Sequence, residues 1–176
     1  LGYAKAVNQG LKLRKSEYIA IANNDIVVSP YWQEVALEIF KDPTVYSCHP
    51  RMISYNENFR YGNRTWITGK ERWCTSSFFI INTKNPLFFD ENFMNSYEDW
   101  DYWFRVRDLG FKTAFTNKAC YRHRASSIRT IMPEHEERER NNKEYFKKKW
   151  GKYAEDIFAE QFPEQMKKDY QVGFFL

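Results

Sequence analysis

The chain has 176 residues, 43% hydrophobic and 28% charged, as expected of one globular domain with a sizeable core. The net charge is +4, and bases alternate with acids, as in Glu136-Glu137-Arg138-Glu139-Arg140, which argues against a nucleic-acid-binding surface. Cys48, Cys74 and Cys120 have no regular spacing, which disfavours a disulfide scaffold or a CxxC zinc site, and no run approaches the ~20 apolar residues of a membrane span.

Residues 4–14 place Ala4, Val7, Leu11 and Leu13 at roughly helical spacing and end at a polar break, Lys15-Ser16. Tyr18–Ala22 is an apolar run of strand length, expected to be buried on both faces. It ends in Asn23-Asn24-Asp25, followed by a short apolar stretch, Ile26–Val28. Ser29-Pro30 is a helix-start signal, and Trp32, Val35, Ala36 and Ile39 form the apolar stripe of the helix it opens. Val45–Ile53 is a strand. Residues 54–72 are polar, rich in Asn and Gly, and expected as a loop. Phe78–Ile81 is a second apolar strand.

Residues 96–109 predict a helix stopped by Gly110, followed by strand segments at Lys112–Phe115 and Ala119–His123. Pro133 opens a charged helix reaching Trp150, with acids early and bases late, and Lys147-Lys148-Lys149 reads as a solvated face of it. Helices alternating with apolar strands predict an α/β fold with a mostly parallel central sheet flanked by helices. There is no internal repeat and no low-complexity linker.

Three constellations can carry chemistry. Asn23-Asn24-Asp25 stands at a strand's end, where ligands of α/β sheets usually bind, and offers hard oxygen donors to Mg²⁺ or Mn²⁺; the competing reading is an ordinary turn. Glu98, Asp99 and Asp101 crowd one helix start and can include a general base, with Asp101 a candidate substrate contact; Ser96-Tyr97-Glu98-Asp99 also matches a capping box, in which the acids would serve the helix alone. His123 lies between Arg122 and Arg124, so the imidazole can meet a metal and the arginines phosphate oxygens; a lone histidine is more often an ordinary surface or core residue. His49 and His135 lack such company and read as structural. Trp73, Thr75 and Ser76 precede the second apolar strand and can line an acceptor pocket, and a 19% aromatic content suits sugar stacking as well as core packing. GxxxxGK[ST], GxGxxG, HExxH and GxSxG motifs are missing, which leaves nucleophilic hydrolase chemistry unsupported.

In order along the chain, these pieces resemble the inverting family 2 glycosyltransferases of GT-A fold. AKAVNQGLKLRKSEYIAIANNDIVVSPYW resembles the family's helix with Asn-x-Gly, then its strand ending in a DxD-type motif. FFIINTKNPLFFDENFMNSYEDWDYWFRVRDLGFK resembles the acceptor-side segment with its Glu-Asp pair, ACYRHRASS the later strand with a metal-binding histidine, and NNKEYFKKKWG a frequent ending of the domain. The resemblance implies Asp25 as the metal-binding acid, with Asn23 at the motif's first place, His123 completing the coordination, Asp99 as general base and Glu98 shaping the acceptor site. Asn23 departs from the usual first acid. The implied reaction is metal-dependent, inverting transfer of a sugar from a nucleotide-diphosphate donor to a glycan or other hydroxyl acceptor, as in polysaccharide synthesis. The alternative is a catalytically silent carbohydrate- or nucleotide-binding module. Residues 1–150 would be the C-terminal part of the domain and 151–176 a helical tail. The opening strand–helix–strand segment is expected to be missing, which would leave an exposed sheet edge for a homo-oligomer to cover. A cytoplasmic setting, or the inner face of a membrane, is the matching expectation for location.

Overall fold

The computed structural model describes residues 2–69, 76–124, 134–154, 156 and 157. The elements are α1 (Tyr3–Lys12), β1 (Tyr18–Ala22), β2 (Ile26–Val28), α2 (Trp32–Ile39), β3 (Val45–Ile53), β4 (Thr65–Thr68), β5 (Phe78–Asn82), α3 (Glu98–Asp108), β6 (Lys112–His123) and α4 (His135–Trp150). The predicted helices and apolar strands are present, and the two segments predicted at 112–115 and 119–123 form one continuous β6. Residues 151–157 include Ala154 and Ile157 packed in a core, whereas the rest of the predicted tail lies outside the described residues.

The strands form one sheet in the order β1-β5-β3-β6-β2, with β4 also paired to β6. The expectation of a mostly parallel sheet is corrected: β3 and β6 pair in parallel, and the other pairings are antiparallel. Parallel neighbours need a long crossover, usually helical. The connection from β3 to β5 carries β4 and no helix among its described residues, and β5 returns antiparallel between β1 and β3. Alternation along β5 feeds both faces of the sheet. Phe79 and Ile81 enter a core with Tyr102 and Trp103 of α3 and Leu11 of α1, while Phe78 and Ile80 enter one with Ala36 and Ile39 of α2. A third core lies under α4, where Phe146 meets Phe93 and Phe104.

Several local expectations are also corrected. β1 is the end strand of the sheet and only half-buried, with Ile21 its one fully buried residue. β4 lies within the stretch expected as a loop. Ser29 does not cap α2: its hydroxyl accepts the Cys120 N–H at 3.0 Å and its N–H donates to the Cys120 carbonyl at 2.9 Å, extending the β2–β6 ladder.

β1 and β2 are joined by only Asn23–Asp25, yet stand at opposite ends of the strand order. Four strand spacings in a flat sheet would be about 19 Å, whereas that link reaches at most about 14 Å. The sheet is therefore curled. β6 has its register break between the Thr116 and Cys120 pairings, where the chain passes from β4 to β2 as antiparallel partner.

α4 is fastened to α3 through buried charge. Asp101 is fully buried; its Oδ2 accepts Arg105 Nε at 2.8 Å and its Oδ1 accepts Trp150 Nε1 at 3.0 Å and Lys149 Nζ at 2.7 Å. Lys149 also reaches Asp90 Oδ2 at 2.6 Å, beside the Tyr145 hydroxyl at 3.0 Å. Burial pushes the Asp90 carboxyl up, but hydrogen bonds from Lys149, Asn92 and Tyr145 outweigh it and hold it at about 2. A depressed carboxyl contributes stability above its unfolded-state value and loses it as pH falls through the folded value. The stability margin of the wild type over Asp90→Asn is thus expected in full above pH ~4 and should vanish towards pH ~2. Thermal melts of both proteins across that range check this; a margin independent of pH would refute it.

Candidate functional site

The curl of the sheet brings the end of β1 to the end of β6. Ile26 pairs with His123 in the β2–β6 register, and the residue before Ile26 is Asp25. The Asp25 Oδ1 and His123 Nε2 are 3.1 Å apart although 98 residues separate them in sequence. Arg124 N–H donates to the Asp25 carbonyl at 3.0 Å, closing the seam, and its side chain is exposed. Asp25 keeps 33% of its side-chain surface accessible and His123 16%, so solvent or a ligand reaches the carboxylate.

Asn23 sits one step along the same loop. Its N–H donates to the Ser77 carbonyl at 2.8 Å, and Ser77 Oγ is 2.7 Å from the Tyr121 hydroxyl. The neighbouring Ser76 carbonyl accepts the Tyr3 hydroxyl at 2.7 Å, and Ser76 Oγ is buried without a hydrogen bond among the described residues. Burial raises the Tyr3 phenol well above its ordinary value, and the charges of Asp99 and Glu98 raise it further, so Tyr3 stays protonated as a donor.

Those acids differ in surroundings. Glu98 is buried at 7% exposure and Asp99 half-buried, its Oδ1 accepting the Trp100 N–H at 2.9 Å. The capping-box alternative does not hold, because the cap residue is Tyr97, and Ser96 Oγ is 2.6 Å from Asn142 Nδ2. Asp101, expected among the substrate contacts, points into the α3–α4 clasp with every bond described above. Trp73 and Thr75 lie outside the described residues.

A cavity of about 610 Å³ opens between these elements, lined by Tyr3 of α1, Asn23 and Asn24 after β1, Asn95 before α3, and His135 and Arg138 of α4. The two basic side chains lean on their own helix: Arg138 donates to Glu134 at 2.8 Å, and His135 Nε2 is 3.5 Å from Glu139. Tyr3, Asn95, His135 and Arg138 were not singled out by sequence. His135 read as structural, and no spacing signal ties residue 3 or residue 138 to a site built from 23–25. His49, read as structural, is buried in the core, stacked 5.6 Å from Phe79 and edge-on to Trp103 at 4.7 Å.

The Asp25–His123 pair is in hydrogen-bond contact, and its spacing would also suit two neighbouring ligands of one divalent cation. Two ligands ~2.1 Å from a hard octahedral ion and at right angles to each other lie about 3 Å apart, close to the observed 3.1 Å. Among the described residues no group of three metal-ligating side chains exists. An ion here would therefore keep most of its coordination for water and phosphate, as Mg²⁺ commonly does. Among the described residues, no helix is long and apolar enough to cross a membrane.

No curated protein matches the chain. The family model described as glycosyl transferase family 2 matches residues 1–103, a span running from α1 through the Asn23–Asp25 loop to the first turns of α3. The chain belongs to glycosyl transferase family 2.

Proposed function

We propose that this chain transfers a sugar from a nucleotide-diphosphate donor to a hydroxyl of a glycan or similar acceptor, with inversion and with assistance from Mn²⁺ or Mg²⁺. The observation that carries this reading is the approach of Asp25 to His123 across 98 residues, next to a cavity lined in part by Asn23 and Asn24, in a family 2 chain. Asp25 and His123 would hold the ion. When bound, it would neutralise charge building on the departing diphosphate.

Asp99 takes the proton of the acceptor hydroxyl. The freed oxygen pair attacks the anomeric carbon as the bond to the diphosphate oxygen breaks on the opposite face, and the diphosphate leaves with that bond's electrons. Glu98 and Ser76 border the acceptor, Asn23 and Arg124 the phosphates, and the polar stretch of residues 54–72 selects the acceptor. Trp73 and Thr75 belong to the same acceptor wall in this reading.

A second reading, a binding module without turnover, draws support from the absence of a three-ligand metal group among the described residues. Thermal shift with Mn²⁺ and a panel of nucleoside diphosphates, on the wild type and Asp25→Ala, tests the donor site. A shift that needs metal and nucleotide together and disappears in Asp25→Ala is expected. A shift surviving in Asp25→Ala removes Asp25 from the metal site; binding intact with no transfer to any acceptor favours the module.

A further inference from the structure

The stretch Asn141–Gly151, which resembles a frequent ending of the domain, has no task in the proposed reaction. Every distinctive side chain in it reaches the segment 90–101. Asn142 is buried at 4% exposure; its Oδ1 accepts the Met94 N–H at 3.2 Å, and its Nδ2 lies 3.0 Å from the Met94 carbonyl and 2.6 Å from Ser96 Oγ. Phe146 packs 5.8 Å from the Tyr97 ring and 6.3 Å from Phe93. Lys149 and Trp150 hold Asp101.

The segment so held is strained. Asn95 (φ 59°) and Tyr97 (φ 67°) are both left-handed, and neither is glycine. Asparagine tolerates this conformation, but at Tyr97 it costs of order 1–3 kcal/mol and persists only where the surroundings over-determine it, often at functional sites. Asn142 bonds the residues on either side of Asn95, and the Asn95 side chain accepts the Tyr3 N–H at 2.8 Å. The next residues are Glu98 and Asp99.

We propose that Asn142 is a positioning residue: from α4 it holds the left-handed turn at Asn95–Tyr97 and thereby aims Asp99 at the acceptor hydroxyl. The inference rests on the reading of Asp99 as the base. A general base works only within hydrogen-bond reach of its proton, and a misplacement of about 1 Å can cost ~10²-fold.

The test compares Asn142→Ala, Ser96→Ala and Asp99→Asn, as kcat per folded molecule, with the folded fraction read from tryptophan fluorescence. Asn142→Ala is expected to lower kcat about 10- to 100-fold with donor KM unchanged, and to add nothing in the Asp99→Asn background. Exchange of the Met94 amide with deuterium should also accelerate in Asn142→Ala, whatever the catalytic assignment. Ser96→Ala, which removes a single hydroxyl and serves if Asn142→Ala does not fold, should lower kcat several-fold with the same unchanged KM. Folded variants at wild-type kcat, or an equal loss in the Asp99→Asn background, overturn the clamp while leaving the base in place. A fully active Asp99→Asn overturns the base itself.

Discussion

Asp99→Asn is expected to lower kcat by about 10²- to 10⁴-fold, the usual contribution of a positioned general base. The substitution preserves the shape of the side chain and leaves an amide oxygen for the Trp100 N–H, now accepted at 2.9 Å. Folding and Mn²⁺-dependent nucleotide binding should therefore match the wild type, and the loss should fall on turnover. Glu98 offers no easy substitute, since it is buried at 7% exposure while Asp99 is half-buried. Steady-state kinetics with saturating donor decide the matter. A variant retaining half the wild-type rate would return Asp99 to a role at the positive end of α3, where an acid is favourable in any protein.

The second large effect is on stability. Trp103→Ala should destabilise by about 3–5 kcal/mol, as for other large buried aromatics, or roughly 6–20 °C in melting temperature for a domain of this size. Trp103 is 2% exposed and lies edge-on to Phe79 at 5.1 Å, to Tyr102 at 4.9 Å and to His49 at 4.7 Å. No neighbour can fill the void without leaving its own ring contact. Trp103→Phe keeps much of the volume and should cost far less. If thermal or denaturant unfolding put Trp103→Ala within 1 kcal/mol or so of the wild type, the core around α3 would be more plastic than close packing allows.

Helices and apolar strands were legible because their signals are local. Ala4, Leu11 and the Phe78–Ile81 run announce which surfaces are buried by periodicity alone. Strand direction is not local: β5 lies antiparallel between β1 and β3 because of pairings with residues some 30 and 60 positions away. β4 was missed because Trp66 and Ile67, its apolar residues, are both exposed and give no alternation. The caps were misplaced because Tyr31, Tyr97 and Glu134 adopt the left-handed conformation that sequence rules reserve for glycine and asparagine. For the site, Asp25 and His123 each had an ordinary alternative, and only the resemblance joined them. Asp101 shows the opposite error: three acids at one helix start look alike in sequence, and burial alone separates the structural one.

The curled seam has a thermodynamic consequence. β2 is three residues long and, in the described residues, pairs only with β6, so the strand that carries Asp25 to His123 is among the least anchored parts of the sheet. Closing a loop of 98 residues costs entropy that grows with the logarithm of its length. Any ligand that bridges Asp25 and His123 acts as a reversible clip across that loop, and its binding free energy adds directly to the stability of the closed form. A ligand that bridged the pair would therefore raise the stability of the fold that is already closed without it.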